Sequence, residues 1–218
     1  MTLLTYNPPM EPYISIIYAD ADIVVINKPS GLLSVPGKAP EHRDSAWARL
    51  ERVLPDLRVV HRLDMATSGL MVFARHKQAQ AALQRQFEQR TVDKRYCAHV
   101  WGQPPSVRGE INLALRCDWP NRPRQMVDLQ LGKAARTLYT VTGQHKYGAI
   151  VALTPYTGRS HQLRVHMQAV GCAILGDKFY ASPQGYAAAS RLLLHAEYLA
   201  FNQPLSQQAL SFNCPADF

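Results

Sequence analysis

A chain of 218 residues that is 47% hydrophobic can fill the core of one large domain or two small ones. Its formal net charge of +8 favours polyanionic partners, and 17 arginines against 7 lysines supply the planar, stacking donors suited to nucleic acid. Cys97, Cys117, Cys172 and Cys214 form no Cys-x-x-Cys pair, which argues against a zinc ribbon or disulfide framework and fits a reducing cytoplasm. Pro8-Pro9 and Glu11-Pro12 stand where a secretory leader needs an apolar core, and no apolar run approaches the ~20 residues of a membrane span.

Residues 1–12 read as an extended arm, because three prolines in so short a space forbid a helix. Ile14 to Tyr18 and Ile23 to Asn27 are β-branched runs joined by Ala19-Asp20-Ala21-Asp22, a hairpin pattern that Lys28-Pro29-Ser30-Gly31 ends. Asp44 is placed to cap a helix to about Leu54, with Pro55 beyond it. A strand is expected over 70–75, then a helix from Lys77 to Arg90 with Ala79, Leu83 and Phe87 on one face. Tyr96 to Trp101 reads as strand, and 102–136 as irregular, broken by Pro104-Pro105, Pro120 and Pro123. Strands at Leu138 to Thr142 and Ala149 to Thr154 precede a helix capped by Ser160, running to Val170 and closed by Gly171. Strands return at Arg191 to Phe201 and Leu210 to Phe212. The pattern predicts a single α+β domain with a mixed sheet, residues 13–218 following the arm.

The residue that asks for an explanation is Asp64, in His61-Arg62-Leu63-Asp64-Met65-Ala66-Thr67-Ser68-Gly69. It lies between the apolar runs Val59-Val60 and Leu70-Met71-Val72-Phe73, where a carboxylate needs a cationic partner or a chemical role. Arg62 would share its face in an extended segment and could form an ordinary salt bridge. Arg159 and Arg164, in Thr157-Gly158-Arg159-Ser160-His161-Gln162-Leu163-Arg164, compete for that role or bind phosphate instead. Tyr96 and Leu163 read first as packing residues, with walls against a nucleobase as the functional alternative.

His161 and His166, five apart, fall on different helix faces and do not make a zinc helix, so no metal is expected. There is no Gly-x-Ser-x-Gly elbow, phosphate loop or dinucleotide fingerprint, and no cofactor is expected. The basic stretch 108–136, with Arg108, Arg116, Arg122, Arg124, Lys133 and Arg136, reads as a phosphate-tracking finger. A metal-dependent nuclease would want clustered acids where the Asp64 loop has one. A non-catalytic RNA-binding factor is the remaining alternative.

The segments Asn27-Lys28-Pro29-Ser30-Gly31-Leu32, His61 to Gly69, Lys94-Arg95-Tyr96, Gly158 to His166 and Leu193-Leu194-His195-Ala196 together resemble, in order, the motifs of the RluA family of RNA pseudouridine synthases. The resemblance implies an α+β pseudouridine synthase fold: a mostly antiparallel mixed sheet, flanking helices and a central catalytic cleft. It implies an isomerase that detaches uracil from its ribose and rejoins it through carbon 5, without a cofactor. It assigns Asp64 as the essential carboxylate, Arg164 as its partner, Tyr96 and Leu163 as the walls of the base, and Arg62 as the residue that replaces a flipped uridine in the stack. His61, Arg122 and Arg124 are expected to bind substrate. The implied partners are stem-loops of 23S rRNA and tRNA. No separate S4-type RNA-binding domain is seen, and a cytoplasmic monomer is expected.

Overall fold

The structure is a computed structural model that describes residues 6–218; residues 1–5 of the expected arm lie outside the described residues. Residues 6–12 carry no helix or strand, and Tyr6 docks them: its hydroxyl accepts from the Leu33 N–H at 3.0 Å and donates to the Asp44 carbonyl at 2.9 Å.

In chain order the elements are β1 (Ser15–Ala19), β2 (Ile23–Lys28), α1 (Ala46–Glu51), β3 (Arg58–Val59), β4 (Ser68–Ala74), α2 (Lys77–Gln89) and β5 (Asp93–His99). Then come β6 (Arg108–Asn112), β7 (Leu115–Cys117), β8 (Gln125–Val127), β9 (Arg136–His145) and β10 (Gly148–Pro155). The chain continues with α3 (Gln162–Ala169), α4 (Pro183–Ala187), β11 (Leu194–Asn202) and β12 (Ala209–Asn213).

The described residues divide into two units, one of residues 6–93 and 196–216, the other of 94–195 with 217–218. In the first, strands run β1-β2-β4-β11, with β3 against β4 and β12 against β11. The β1–β2, β2–β4, β3–β4 and β11–β12 ladders are antiparallel. Every residue of β4 is buried, so this strand reads as a continuous apolar run and not as an alternation. Ile23, Val25, Leu70 and Val72 pack with Ala79 and Leu83 of α2, and Phe87 joins from the same helix face. That is the face the helical spacing predicts. In the second unit the order is β5-β10-β9-β6, all antiparallel, and β7 and β8 form a separate two-stranded ribbon. Leu115, Ala135, Val165 and Tyr180 form a small core there.

Three local expectations give way to side-chain competition. Ser45, not Asp44, caps α1, accepting from the Ala48 N–H at 3.2 Å. Asp44 is occupied by a two-pronged ion pair with buried Arg49, at 2.8 and 2.6 Å, which holds its carboxyl below the ordinary range. The entrance to α3 is His161, with φ +53°, and not Ser160; the helix's own Gln162 braces the preceding turn instead, accepting from the Thr157 hydroxyl and the Arg159 N–H. The stretch 102–136, expected to be irregular, contains β6, β7 and β8. Short α4 begins at Pro183 behind the Ser182 cap, a signal the periodicity reading overlooked.

Candidate active site

Asp64 lies between β3 and β4 in a loop that has no regular structure of its own. Its backbone is held by the segment that follows β2. The Lys28 side chain is 0% exposed, and its ammonium donates to three carbonyls: Pro29 at 2.9 Å, Leu32 at 2.7 Å and Met65 at 3.1 Å. The Gly31 N–H also donates to the Met65 carbonyl, and the Ser30 hydroxyl donates to that of Ala66 at 2.7 Å. Ser34 grips Leu63 twice: its hydroxyl donates to the Leu63 carbonyl at 2.7 Å and accepts from the Leu63 N–H at 3.0 Å. The Thr67 N–H closes the turn on the Asp64 carbonyl at 3.1 Å.

Leu63 and Thr67 are buried on either side of Asp64, which is half-buried, while Arg62 and Met65 are exposed. Gly69 opens β4 with φ +111°, in the left-handed half of the map. A Cβ there would lie 2.4 Å from the Ala196 carbonyl oxygen on β11, so only glycine lets the strand leave the loop so close to its neighbour. These contacts explain the Asn27 to Leu32 motif physically, as the frame of the loop that carries the carboxylate.

The sequence-predicted residues fall out unequally. Arg62 is exposed. His61 accepts the Val72 N–H on Nε2 at 3.1 Å and stacks on Phe87 at 4.7 Å, a role in holding the loop against β4 and α2. Accepting on Nε2 requires the Nδ1–H tautomer of the neutral ring.

In the second unit Tyr96 lies half-buried on β5 opposite Leu153 of β10. Lys94 shares its face two residues earlier, and burial pushes that ammonium's pKa down. Leu163 and Arg164 are both buried in α3. The Arg164 guanidinium, 4% exposed, donates from Nε and Nη2 to the two oxygens of Asp177, each at 2.7 Å. His166 is wholly buried between the Thr137 hydroxyl at 2.9 Å and the Leu113 carbonyl at 3.0 Å, and burial lowers its pKa. Arg159 stays exposed and donates to the Ala134 carbonyl.

The basic finger carries less available charge than its composition suggests. Arg116 is taken by Asp128 at 2.5 Å, and Arg136 by both oxygens of Glu110 at 2.9 Å. Arg122 lies over the exposed Trp119 ring at 3.4 Å and Arg124 over Tyr180 at 5.6 Å, each a cation stacked on an aromatic ring.

Asp177 escaped sequence reasoning. An arginine flanked in a buried helix by Leu163 and Val165 demands a carboxylate, but nothing local says that it comes from the turn after Ala173-Ile174-Leu175-Gly176. The parts on hand are a carboxylate on a braced loop, a desolvated guanidinium fixed by a fork, and a tyrosine two residues along its strand from a half-buried lysine.

Residues 22–169 match the family model described as RNA pseudouridylate synthase. Over its full length the chain is 53% identical to the Dual-specificity RNA pseudouridine synthase RluA of Escherichia coli (strain K12), also covered in full. It is 52% identical to the protein of the same name from Pasteurella multocida (strain Pm70), again with complete coverage of both chains. Among solved structures, Human RNA Pseudouridylate Synthase Domain Containing 1 superposes with a TM-score of 0.79 at 29% identity, covering 100% of this chain and 87% of that one. Human RNA Pseudouridylate Synthase Domain Containing 4 gives 0.74 at 27%, covering 92% and 88%.

Proposed function

The chain belongs to the RNA pseudouridylate synthase family, and on that premise we propose that it isomerises uridines in structured stem-loops of both 23S rRNA and tRNA, with Asp64 as the catalytic carboxylate. Enzyme class and fold follow from membership; the substrates and residue roles are the proposal. The observation that carries the substrate reading is full-length similarity above half identity to enzymes named for dual specificity.

The reaction breaks the bond between N1 of uracil and C1′ of ribose and forms one from C5 to the same carbon, with the C5 hydrogen leaving as a proton and N1 gaining one. It conserves oxidation state. Asp64 serves it as the one carboxylate of a rigidly framed loop, and Arg164 serves it as the arginine that matches the family's motif. Tyr96 and Leu163 flank the uracil. The target base leaves its stack to be reached, and exposed Arg62 fills the gap it leaves. Arg122 and Arg124 track the backbone of the stem-loop. The enzyme acts as a cytoplasmic monomer; among the described residues no helix is long and apolar enough to cross a membrane.

The test is Asp64→Asn assayed on stem-loop RNA carrying tritium at C5 of uridine. The variant is expected to release no tritium while binding the RNA with the affinity of the parent protein. Full release would remove Asp64 from the chemistry, and pseudouridine mapping in total RNA with and without the protein would decide which stem-loops are substrates.

A further inference from the structure

One side chain joins the basic finger to the buried Arg164. Tyr180, in the turn after Asp177, is itself buried. Its hydroxyl accepts the backbone N–H of Gln125, the first residue of β8, at 2.8 Å, and lies 2.7 Å from Nδ1 of His161. A phenol oxygen has one proton and two lone pairs, so it can accept from Gln125 and still bond to His161, at the entrance of the helix that bears Arg164. The Tyr180 ring meets two guanidinium groups: that of Arg164 at 5.1 Å and that of Arg124, from the finger, at 5.6 Å. The backbone of Tyr180 closes the circuit. Its N–H and that of Phe179 donate to Oδ1 of Asp177, the carboxylate whose two oxygens hold Arg164.

The finger also has a part with two places to go. Arg122 rests on Trp119 with no carboxylate partner among the described residues, so an RNA phosphate can draw it away. Arg116 is already tied to Asp128. A ligand can move such an element only by binding its two arrangements differently, and a phosphate that takes Arg122 does so.

We propose that Tyr180 couples RNA binding at the finger to the placement of Arg164. RNA engaging Arg122 shifts β8, Tyr180 follows through the Gln125 N–H, and the Asp177 fork carries the movement to the guanidinium. Tyr180 is thus a positioning residue, and the RNA stem-loop is effector as well as substrate. This rests on the reading that Arg164 serves the reaction.

The test is a double-mutant cycle on single-turnover rates at saturating stem-loop RNA, with RNA affinity measured separately. Tyr180→Phe keeps the ring and loses the two hydroxyl bonds; Arg122→Ala removes the phosphate contact. Each alone is expected to slow the step about tenfold, within the usual range of coupling between sites. The double variant should be no slower than Tyr180→Phe, while Arg122→Ala weakens RNA binding equally in both backgrounds. Rates that multiply, or a Tyr180→Phe enzyme as fast as the parent, overturn the coupling. If Tyr180→Phe does not fold, Arg124→Met, which removes the finger's cation from the ring, takes its place in the cycle. Arg164→Lys separates the two failures: full activity there would strike at Arg164's role, and a damaged Arg164→Lys beside multiplicative rates would overturn the coupling alone.

Discussion

Replacing Lys28 by methionine tests whether the Asp64 loop is held from beneath by a buried cation. Methionine matches the four-atom stem of the side chain and leaves three carbonyls, those of Pro29, Leu32 and Met65, without their donor. Hydrogen bonds to a charged group contribute about 1.5–3 kcal/mol each, or roughly 5–9 kcal/mol for the set. Against that stands the relief of a charge whose burial costs several kcal/mol. The balance is a net loss of about 2–4 kcal/mol, a fall in Tm of roughly 5–15 °C for a chain of this size. Because one of the three carbonyls belongs to the residue next to Asp64, the loss also reaches the chemistry. A displacement of ~1 Å at a reacting group costs about a hundredfold in rate. The measurements are thermal unfolding and single-turnover tritium release at saturating RNA, with affinity for RNA expected to stay near that of the parent. An unchanged Tm with an unchanged rate would refute the frame. A rise in Tm would show that desolvation of the ammonium outweighs its three bonds.

Two further outcomes follow from the charges. Replacing Arg122 and Arg124 together by alanine should lower the slope of log affinity against log salt by about 1.4–1.8, the share of two phosphate contacts. Arg116→Ala, whose charge is already matched by Asp128, should leave the slope nearly as it was, and an unchanged slope in the double variant would take the finger out of the interface. Stability should fall as pH drops from about 7.5 to about 5. The pKa values of His166, lowered by burial, and of His99, lowered by burial and by the stacked His145 ring, lie below the ordinary 6.5. The unfolded chain therefore takes up these protons first as pH drops through about 6.5, and the loss continues down to the folded values. Asp44 acts in a separate, more acid window, losing its contribution as pH falls from 3.8 through its lowered folded value. Urea unfolding at the two pH values, with His166→Gln expected to flatten part of the slope, checks the sign; higher stability at the lower pH would contradict it.

The elements legible in the sequence are those whose information is local. The α2 face of Ala79, Leu83 and Phe87 declares itself by spacing, and β4 by its unbroken apolar run. The α1 cap moved by one residue because Asp44 had a stronger partner in Arg49, five positions on, than in the helix's own N–H groups. The stretch 102–136 hid three strands because each is short and bracketed by proline or glycine, so no period has room to show. Of the proposed site, the motifs singled out Asp64, Tyr96, Leu163 and Arg164. What they could not supply was the carboxylate on Arg164, which comes from a turn thirteen residues further on. Nor could spacing reveal that Lys28 turns its ammonium inward onto carbonyls, since a lysine beside Pro29-Ser30-Gly31 reads as a solvated turn.

The loop frame has a consequence for how such an enzyme can change its substrates. The bonds that hold the Asp64 loop come to the main chain of Leu63, Met65 and Ala66, and ask nothing of the Met65 side chain. Arg62 and Met65 therefore project from a scaffold that is indifferent to their identity. If the proposed roles of Arg62 and Asp64 hold, recognition can be rewritten at these two positions by point mutation while the carboxylate between them keeps its frame, and new RNA targets are reachable without passing through an inactive ancestor.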